Sequence, residues 1–199
     1  MPKYFRLLPF PYNEDKFNEF KDKGFVSIGW GPLGDLTELT REQIKERYMK
    51  RYPNSTIHAS RLVASYFVKL KEMNPGDVIL IPYGGEYHFF EVEGNYFFDN
   101  DECDIALQQR IKVKFIKKLD KNIFSSKMIK SIGVQPTLTY LGEYKDEIES
   151  VLLGGDRISL SKHKAFIYNE SIGSISLTYS DNVSKKLLKE FFDKVLDEF

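Results

Sequence analysis

The first part of the chain alternates apolar runs with amphipathic segments, a pattern that predicts short strands and helices in turn. Residues 4–8 form a short apolar run that ends before a proline, and they predict the first strand. Residues 15–23 predict a helix because two phenylalanines fall on one face, and Gly24 stands where a C-cap is expected. Residues 25–28 form the next apolar run and predict the second strand.

Two longer helices are predicted after the second strand. Thr40 and Gln43 match a capping box, in which each side chain satisfies a free backbone amide at the start of a helix. This helix should end near Arg51, because a proline follows two residues later. Residues 59–72 predict a second helix, since their apolar positions recur every three or four residues.

The middle of the chain is rich in predicted strands. Residues 78–82 are all apolar, as in a strand buried on both faces, and residues 86–93 predict a partner strand across a Gly-Gly pair. Residues 110–115 alternate basic and apolar side chains, so one face should lie on the core and the other in solvent. The acidic residues 99–104 are interpreted as a solvated hairpin tip, and residues 120–152 predict short helices.

The last part of the chain is interpreted as a separate appendage. Residues 1–152 are taken as one domain and residues 153–199 as a ββα segment of unknown role. Its elements are predicted at residues 164–168 (strand), at residues 174–178 (strand) and from Ser180 or Asp181 onward (helix). The apolar side of that helix must pack on the body of the protein or on a second copy, which makes a homodimer one of the expectations.

Composition narrows the class of protein. A chain of 199 residues with 42% hydrophobic and 15% aromatic residues can bury one good core. Its 29 basic and 29 acidic side chains balance, so any binding to nucleic acid must come from local clusters of charge. A single cysteine excludes an internal disulfide, and no apolar run approaches the roughly 20 residues of a membrane span. A cytoplasmic protein without membrane contact is therefore expected.

Trp30, the only tryptophan, is the most informative residue of the chain. It follows the second predicted strand and is surrounded by residues that permit unusual backbone conformations and close approach: Gly29, Gly31, Pro32 and Gly34. An aromatic side chain in such a collar serves as a stacking platform or, alternatively, as a core residue beside a tight turn.

The order of three segments resembles a known group of proteins. These segments are residues 24–36 (the Trp30 collar), residues 74–82 (Asn-Pro-Gly-Asp and an apolar strand) and residues 110–115 (the basic strand). With a Gly-x-Tyr hairpin expected at residues 94–96, they resemble the PUA-like readers of modified bases, in particular the EVE-type domains of Mrr-like and McrB-like restriction systems. The resemblance covers residues 1–152. Within this range, residues 128–141 are similar to a small C-terminal extension that is found in that group. It implies an α+β fold with a curved sheet or small β-barrel flanked by helices.

The resemblance also implies a binding pocket and a ligand. A base in duplex DNA must be flipped out of the stack before a pocket can enclose it. The resemblance places Trp30 and Tyr83 at this pocket, while Ser60 and Asp35 are expected to contact the polar edge of the base. A methyl group adds only about 0.8 kcal/mol of apolar burial, so discrimination would also require a tight aromatic cage.

Basic residues are the candidates for contact with the phosphate backbone. Any one of them is more often part of a solvated face, but basic clusters beside an aromatic platform are the combination that nucleic-acid-binding proteins use. The residues predicted to hold phosphates are Arg41, Lys45, Arg47, Arg61, Arg110, Lys112 and Lys114.

Catalytic and metal-binding patterns are absent from the sequence. Its three histidines lack metal-ligand spacing, and no phosphate-binding glycine loop or nucleophile motif is present. Asp77, Glu91 and Glu93 resemble part of an acidic nuclease centre, but the lysine expected two residues beyond the glutamate is missing. We therefore expect no enzymatic activity, no cofactor and no metal.

Three functions remain compatible with these patterns. The first is a module that binds DNA carrying a modified, methylated base within a restriction or defence system, together with a separate effector nuclease or NTPase. The second is an RNA-binding member of the same superfamily. The third is a regulatory or assembly subunit that has lost the pocket and acts through its C-terminal segment.

Overall fold

The structure is a computed structural model that describes residues 1–134 and 136–152, together with the backbone of two short strands near the C-terminus. The chain divides into two compact units, Met1–Gly154 and Gly155–Phe199. The strands of the first unit are β1 (Tyr4–Leu7), β2 (Phe25–Ser27), β3 (Val78–Tyr83), β4 (Glu86–Phe98), β5 (Gln109–Asp120) and β6 (Leu138–Tyr140). Its helices are α1 (Phe17–Lys23), α2 (Arg41–Arg51), α3 (Ile57–Lys71), α4 (Ser126–Ile132) and α5 (Lys145–Leu152).

The six strands form one mixed, curled sheet in the order β2-β5-β4-β3-β1-β6. Only the β1–β3 pair is parallel, and all other neighbours are antiparallel. Helices flank this sheet, so the predicted α+β fold class with a curved sheet is confirmed.

Both faces of the sheet are covered by apolar packing, as the uninterrupted apolar run of β3 predicts. Ile79 and Ile81 point into the larger core, which is shared with α1, α2 and α3. Val78 and Leu80 point into a second core, formed with α4 and α5. The sheet is thus the middle layer of the unit, and its loops are held from both sides.

The starts and ends of the helices follow local side-chain chemistry. The Thr40–Gln43 capping box is present at α2, and Gly24 takes a left-handed conformation (φ 68°) at the end of α1. Helix α3 begins at Ile57, two residues earlier than predicted, because the Thr56 side chain caps it by accepting from the amide of Ala59.

The hairpin predicted at residues 94–96 is wrong. Gly94 and Tyr96 lie inside β4, which continues to Phe98, and the pairing with β5 shifts register between Val92 and Tyr96. From Val92 to Tyr96, β4 advances four residues while β5 advances two, so two extra residues form a β-bulge that bends the strand without ending it. The buried Tyr96 side chain pairs with Ile111 across the bulge, and the chain turns only in residues 99–108.

Strand β6 lies within a segment that was predicted to be helical. It pairs antiparallel with β1, and the fully buried Arg6 of β1 holds the segment before it by donating to the carbonyls of Val134 (2.7 Å) and Pro136 (2.6 Å). Arg6 has no carboxylate partner in the described part of the chain, and burial lowers its pKa to about 10. Pairing with β1, together with the strand-favouring Thr139 and Tyr140, therefore creates β6.

The second unit contains β7 (Ile167–Asn169) and β8 (Ser174–Ser176), which pair antiparallel. They overlap the two strands predicted there. The helix predicted from Ser180 or Asp181 lies outside the described residues.

Candidate nucleic-acid interface

Trp30 lies at the end of β2 in a strained backbone conformation. Its φ of 58° and ψ of 33° place it in the left-handed region, which costs a non-glycine residue of order 1–3 kcal/mol. Its ring packs on Tyr66 (5.9 Å between centroids) and Phe67 (6.3 Å), yet it remains partly exposed. Trp30 is thus anchored on the core and partly exposed, and its service as a stacking platform stays a prediction.

Gln109, the first residue of β5, fixes the Trp30 loop. Its side chain is completely buried, and its Nε2 donates to the carbonyls of Trp30 (3.2 Å) and Gly34 (3.0 Å). Its Oε1 accepts from the Tyr96 hydroxyl at 2.5 Å, and that hydroxyl accepts from the amide of Leu36 at 3.4 Å. One amide side chain therefore holds both ends of the loop that carries Trp30.

The segment after β1 forms the second loop of the site. Tyr12 also has a left-handed backbone (φ 55°), and its side chain is 42% exposed. Gly29 lies against this loop so closely that a Cβ there would be 3.1 Å from Pro11 and 3.5 Å from the Tyr12 ring. The Tyr12 hydroxyl lies beside that of Tyr52 and beside the backbone of Trp30, and burial together with Tyr52 raises its pKa.

The connection between β4 and β5 forms the third loop. The Ile105 carbonyl accepts from the amide of Gly31 at 3.1 Å, and a Cβ on Gly31 would lie only 2.5 Å from that oxygen. Glycine at position 31 is therefore required for the close approach of the two loops. The Ile105 side chain is 46% exposed. Tyr12, Trp30 and Ile105, each on its own loop, are called the three-loop site below.

Ion pairs neutralise the acidic loop next to this site. Arg110 pairs with Asp99 and Glu102, and Lys16 pairs with Asp104 at 2.8 Å. These pairs offset much of the negative charge that would otherwise repel an anionic ligand from the three-loop site.

The prediction that Arg110 holds phosphate is wrong. Its side chain is buried, and besides the two ion pairs its Nε donates to the Leu107 carbonyl at 2.6 Å. Its guanidinium lies 4.0 Å from the Phe25 ring centroid. Because hairpin pairing brings Asp99 and Glu102 onto Arg110, all three nitrogens of its guanidinium are bonded within the protein rather than presented to a backbone phosphate.

The prediction that Tyr83 shares a pocket with Trp30 is also wrong. The Tyr83 ring stacks on Phe17 at 4.0 Å between centroids, and its hydroxyl donates to Asp15 at 2.8 Å. Strands β2 and β3 run in opposite directions, with β5 and β4 between them. The residues that follow β2 and the residues that follow β3 therefore lie at opposite ends of the neighbouring strands. Tyr83 instead lines a separate apolar groove of about 590 Å³ together with Phe10.

The two polar residues predicted at the base edge are engaged within the protein. Ser60 is buried on α3, on the face that also carries Phe67, and its hydroxyl donates to the Ile57 carbonyl at 2.8 Å. The Asp35 carboxylate accepts from the amide (2.9 Å) and the hydroxyl (2.6 Å) of Thr37, which lowers its pKa. Contact of either residue with a base stays a prediction.

Two predicted phosphate ligands on α2 also have partners. Arg47 donates to the carbonyls of Leu33 (3.2 Å) and Asp35 (2.7 Å), so it braces the far end of the Trp30 loop. Lys45 pairs with Glu42 one turn before it. Arg47 therefore has a structural role beside any role in binding.

The exposed lysines of β5 face acidic residues of β4. Lys112 lies 3.6 Å from Glu93, and Lys114 is opposite Glu91 in the register of the two strands. All four line a shallow depression of about 530 Å³. The predicted basic stripe is therefore balanced by carboxylates, and whether Lys112 and Lys114 bind phosphate stays a prediction.

Exposed arginines remain on the two long helices. Arg41, the first residue of α2, and Arg61, in the second turn of α3, are exposed, as a phosphate contact requires. Arg51, the last residue of α2, is exposed as well, and its guanidinium lies 5.5 Å from the Tyr52 ring centroid. The sequence marks α2 as basic and shows Arg51 beside Tyr52, but only the structure shows Tyr52 next to Tyr12 of the site.

Asp77, the centre of the partial nuclease pattern, serves as a turn residue. Its buried carboxylate accepts from the amides of Lys3 (2.7 Å) and Asn74 (3.0 Å). Within residues 1–134 and 136–152, no three His, Cys, Asp or Glu side chains are placed to hold a metal ion together. No helix in the described part of the chain is long and apolar enough to cross a membrane.

Sequence reasoning missed three residues of the site: Tyr12, Ile105 and Gln109. Tyr12 follows a proline and precedes an asparagine, which is turn chemistry that could have indicated an exposed loop tip. Ile105 and Gln109 carry no such signal, because only the close approach of their loop to Gly31 and Trp30 gives them a role.

A family model matches residues 11–142, which is more than half of the chain, and its description is Domain of unknown function (DUF8426). The chain belongs to this family. The segment shared with the family contains all three loops of the site. No curated protein matches the chain.

Two solved structures are similar to the chain at low sequence identity. One is protein Atu2648 from Agrobacterium tumefaciens, at 15% identity and a TM-score of 0.37, covering 82% of this chain and 99% of that protein. The other is the YTH domain of the Zygosaccharomyces rouxii MRB1 protein, solved in complex with N6-methyladenosine RNA, at 12% identity and a TM-score of 0.43, covering 81% and 90%. With both TM-scores below 0.5, neither similarity says what this member of the family binds.

Proposed function

We propose that the chain is a non-catalytic module that binds a modified, methylated base in nucleic acid, with the base held at the three-loop site. The observation that carries the proposal is the conformation of Trp30. Gln109 holds it in a left-handed backbone with its ring partly exposed, and the loops of Tyr12 and Ile105 flank it through Gly29 and Gly31. Strained residues persist where the surrounding structure over-determines them, and they cluster at binding sites.

The chemistry of the three side chains fits a flat, apolar ligand. Stacking of a base on an aromatic ring contributes roughly 1–3 kcal/mol. Trp30 and Tyr12 offer rings and Ile105 an aliphatic side chain, and the last two are 42% and 46% exposed. Such surroundings would favour a methylated base over an unmodified base, because the methyl group loses contact with water when the three side chains enclose it.

DNA carrying the modified base is the proposed ligand, with RNA as the alternative. In duplex DNA the base would have to be flipped out, at a cost of a few kcal/mol, which the site would offset by stacking. The resemblance of the sequence to EVE-type domains supports a place in a restriction or defence system. Since the module is proposed to be non-catalytic, cleavage would fall to a separate nuclease or NTPase effector.

The single tryptophan provides the test. Trp30 fluorescence is titrated with duplex and single-stranded DNA and RNA that carry 5-methylcytosine, N4-methylcytosine or N6-methyladenine, beside unmodified controls. Quenching at a markedly lower concentration of one modified oligonucleotide is expected. Equal quenching by modified and unmodified strands would contradict recognition of a modification. No quenching by any strand would favour a regulatory or assembly subunit.

A further inference from the structure

Arg51 stands out among the basic residues near the three-loop site. Its guanidinium lies 5.5 Å from the ring centroid of Tyr52, the next residue in the chain. The Tyr52 hydroxyl lies beside that of Tyr12, and the positive charge of Arg51 acts on the Tyr12 hydroxyl by lowering its pKa against the larger effect of burial. A continuous series of groups thus runs from the charged Arg51 through the ring of Tyr52 to Tyr12, whose hydroxyl lies beside the backbone of Trp30.

Three other cations near this series already have partners. Arg47 is bonded to two carbonyls of the Trp30 loop, Lys16 is paired with Asp104, and Arg110 is buried in its two ion pairs. Arg51 is exposed, and none of the ion pairs of the described residues includes it. Its guanidinium is therefore free to bind an anion in solution.

We propose that Arg51 binds a phosphate of the nucleotide whose base occupies the three-loop site. This inference rests on the proposed function and narrows its ligand to a phosphorylated nucleotide, alone or within a strand, rather than a free base or nucleoside. A guanidinium presents paired N–H donors that match two oxygens of one phosphate. The adjacent Tyr52 ring favours one position of the Arg51 guanidinium, so the arginine side chain loses less conformational entropy when it binds phosphate.

The test compares ligands that differ only in the phosphate. Trp30 fluorescence is titrated with 5-methyl-2′-deoxycytidine, N4-methyl-2′-deoxycytidine and N6-methyl-2′-deoxyadenosine, and with the 5′- and 3′-monophosphates of each. For the base that binds best, we expect one monophosphate to bind about tenfold more tightly than the nucleoside, as a charge-assisted hydrogen bond allows.

Three variants assign that gain to a residue. Arg51→Gln should abolish the advantage of the monophosphate and leave nucleoside affinity unchanged, whereas Arg51→Lys should retain part of it. Lys50→Gln removes another exposed charge, at the neighbouring position, and should leave the advantage intact. On single-stranded oligonucleotides, Arg51→Gln should also reduce the slope of log affinity against log salt by about 0.7, the value for one phosphate.

The outcomes separate the two proposals. Equal affinity for nucleoside and monophosphates in the wild type, or an advantage that survives Arg51→Gln, would overturn the role of Arg51 and leave the base site standing. No binding of any nucleoside, monophosphate or oligonucleotide would overturn both. Thermal melting of each variant checks that the fold persists, which an exposed position predicts.

Discussion

The Gln109 side chain of β5 holds the backbone of Trp30 at the end of β2, because its Nε2 donates to the Trp30 carbonyl at 3.2 Å. The same nitrogen donates to Gly34, and the oxygen of the amide is occupied by the Tyr96 hydroxyl. A buried amide with both of its ends engaged can adopt one orientation only, so it transmits that orientation to the Trp30 loop.

Replacement of Gln109 by leucine should therefore loosen this loop. Gln109→Leu removes the hydrogen-bond partner of the Gly34 carbonyl and of the Tyr96 O–H, while the Trp30 carbonyl keeps only the amide of Leu33 (3.0 Å). Each unsatisfied buried group costs about 1–3 kcal/mol. We expect a lower melting temperature together with a shifted Trp30 emission maximum. Tyr96→Phe, which removes only one of these bonds, should have the smaller effect on both. An unchanged emission spectrum in Gln109→Leu would show that the loop is held by other contacts.

Replacement of Trp30 should weaken binding more than it weakens the fold. Trp30→Ala removes the proposed stacking surface, and a loss of about tenfold or more in affinity for the modified strand is expected. Tyr83→Ala is the matched control, since that ring lines a different groove. Binding is followed with a labelled oligonucleotide below the melting temperature of each variant. Equal losses in both variants would place the ligand elsewhere.

The sequence predicts those features of the fold that depend on neighbouring residues. Capping at Thr40, the left-handed Gly24 and the buried strand β3 all follow from side chains within a few positions of one another. The Trp30 collar is visible for the same reason, because its glycines are adjacent in the chain. What these glycines approach, Pro11 on one side and Ile105 on the other, depends on the folded sheet.

The predictions that failed depend on strand order and register. The resemblance predicts Tyr83 at the pocket of Trp30, but the order β2-β5-β4-β3 separates the two strand ends. Arg110 alternates with apolar residues along β5, as an exposed basic residue does, yet the β4–β5 hairpin brings Asp99 and Glu102 into contact with it. The local sequence does not show which distant segment covers a given face of a strand. The surroundings of such residues can therefore be assigned only when the pairing of the strands is known.

Arg110 offers a direct test of a structural role against a phosphate-binding role. Removing one partner of a buried ion network leaves uncompensated charge and costs about 3–5 kcal/mol. Arg110→Gln should therefore lower the free energy of unfolding strongly, because Asp99 and Glu102 lose their cation. Lys114→Gln, at an exposed position of the same strand, should change it by no more than about 0.5 kcal/mol. Chemical denaturation of both variants at one salt concentration measures this difference, and similar stabilities would return Arg110 to the list of phosphate ligands.

His88 should make the stability of the protein sensitive to mild acid. Its ring is 5% exposed and lies against Phe17 and Tyr83, and its Nδ1 has no hydrogen-bond partner among the described residues. Burial lowers its pKa; Glu86, at 3.9 Å, opposes this effect without overcoming it. In the unfolded chain the pKa returns to about 6.5.

Below that value the unfolded state binds a proton that the folded state does not, so the free energy of unfolding falls with pH, by at most about 1.4 kcal/mol per unit. We expect the melting temperature to drop between pH 7 and pH 5, a range in which most carboxylates remain ionised. His88→Leu should flatten this dependence, since an apolar side chain suits the aromatic surroundings and cannot titrate. His58→Gln, at an exposed position of α3, should keep the wild-type dependence. If the His88→Leu and wild-type curves run parallel, the acid sensitivity arises from other groups; if the wild-type curve falls away from the His88→Leu curve toward pH 5, the cost lies in protonating a histidine enclosed by Phe17 and Tyr83.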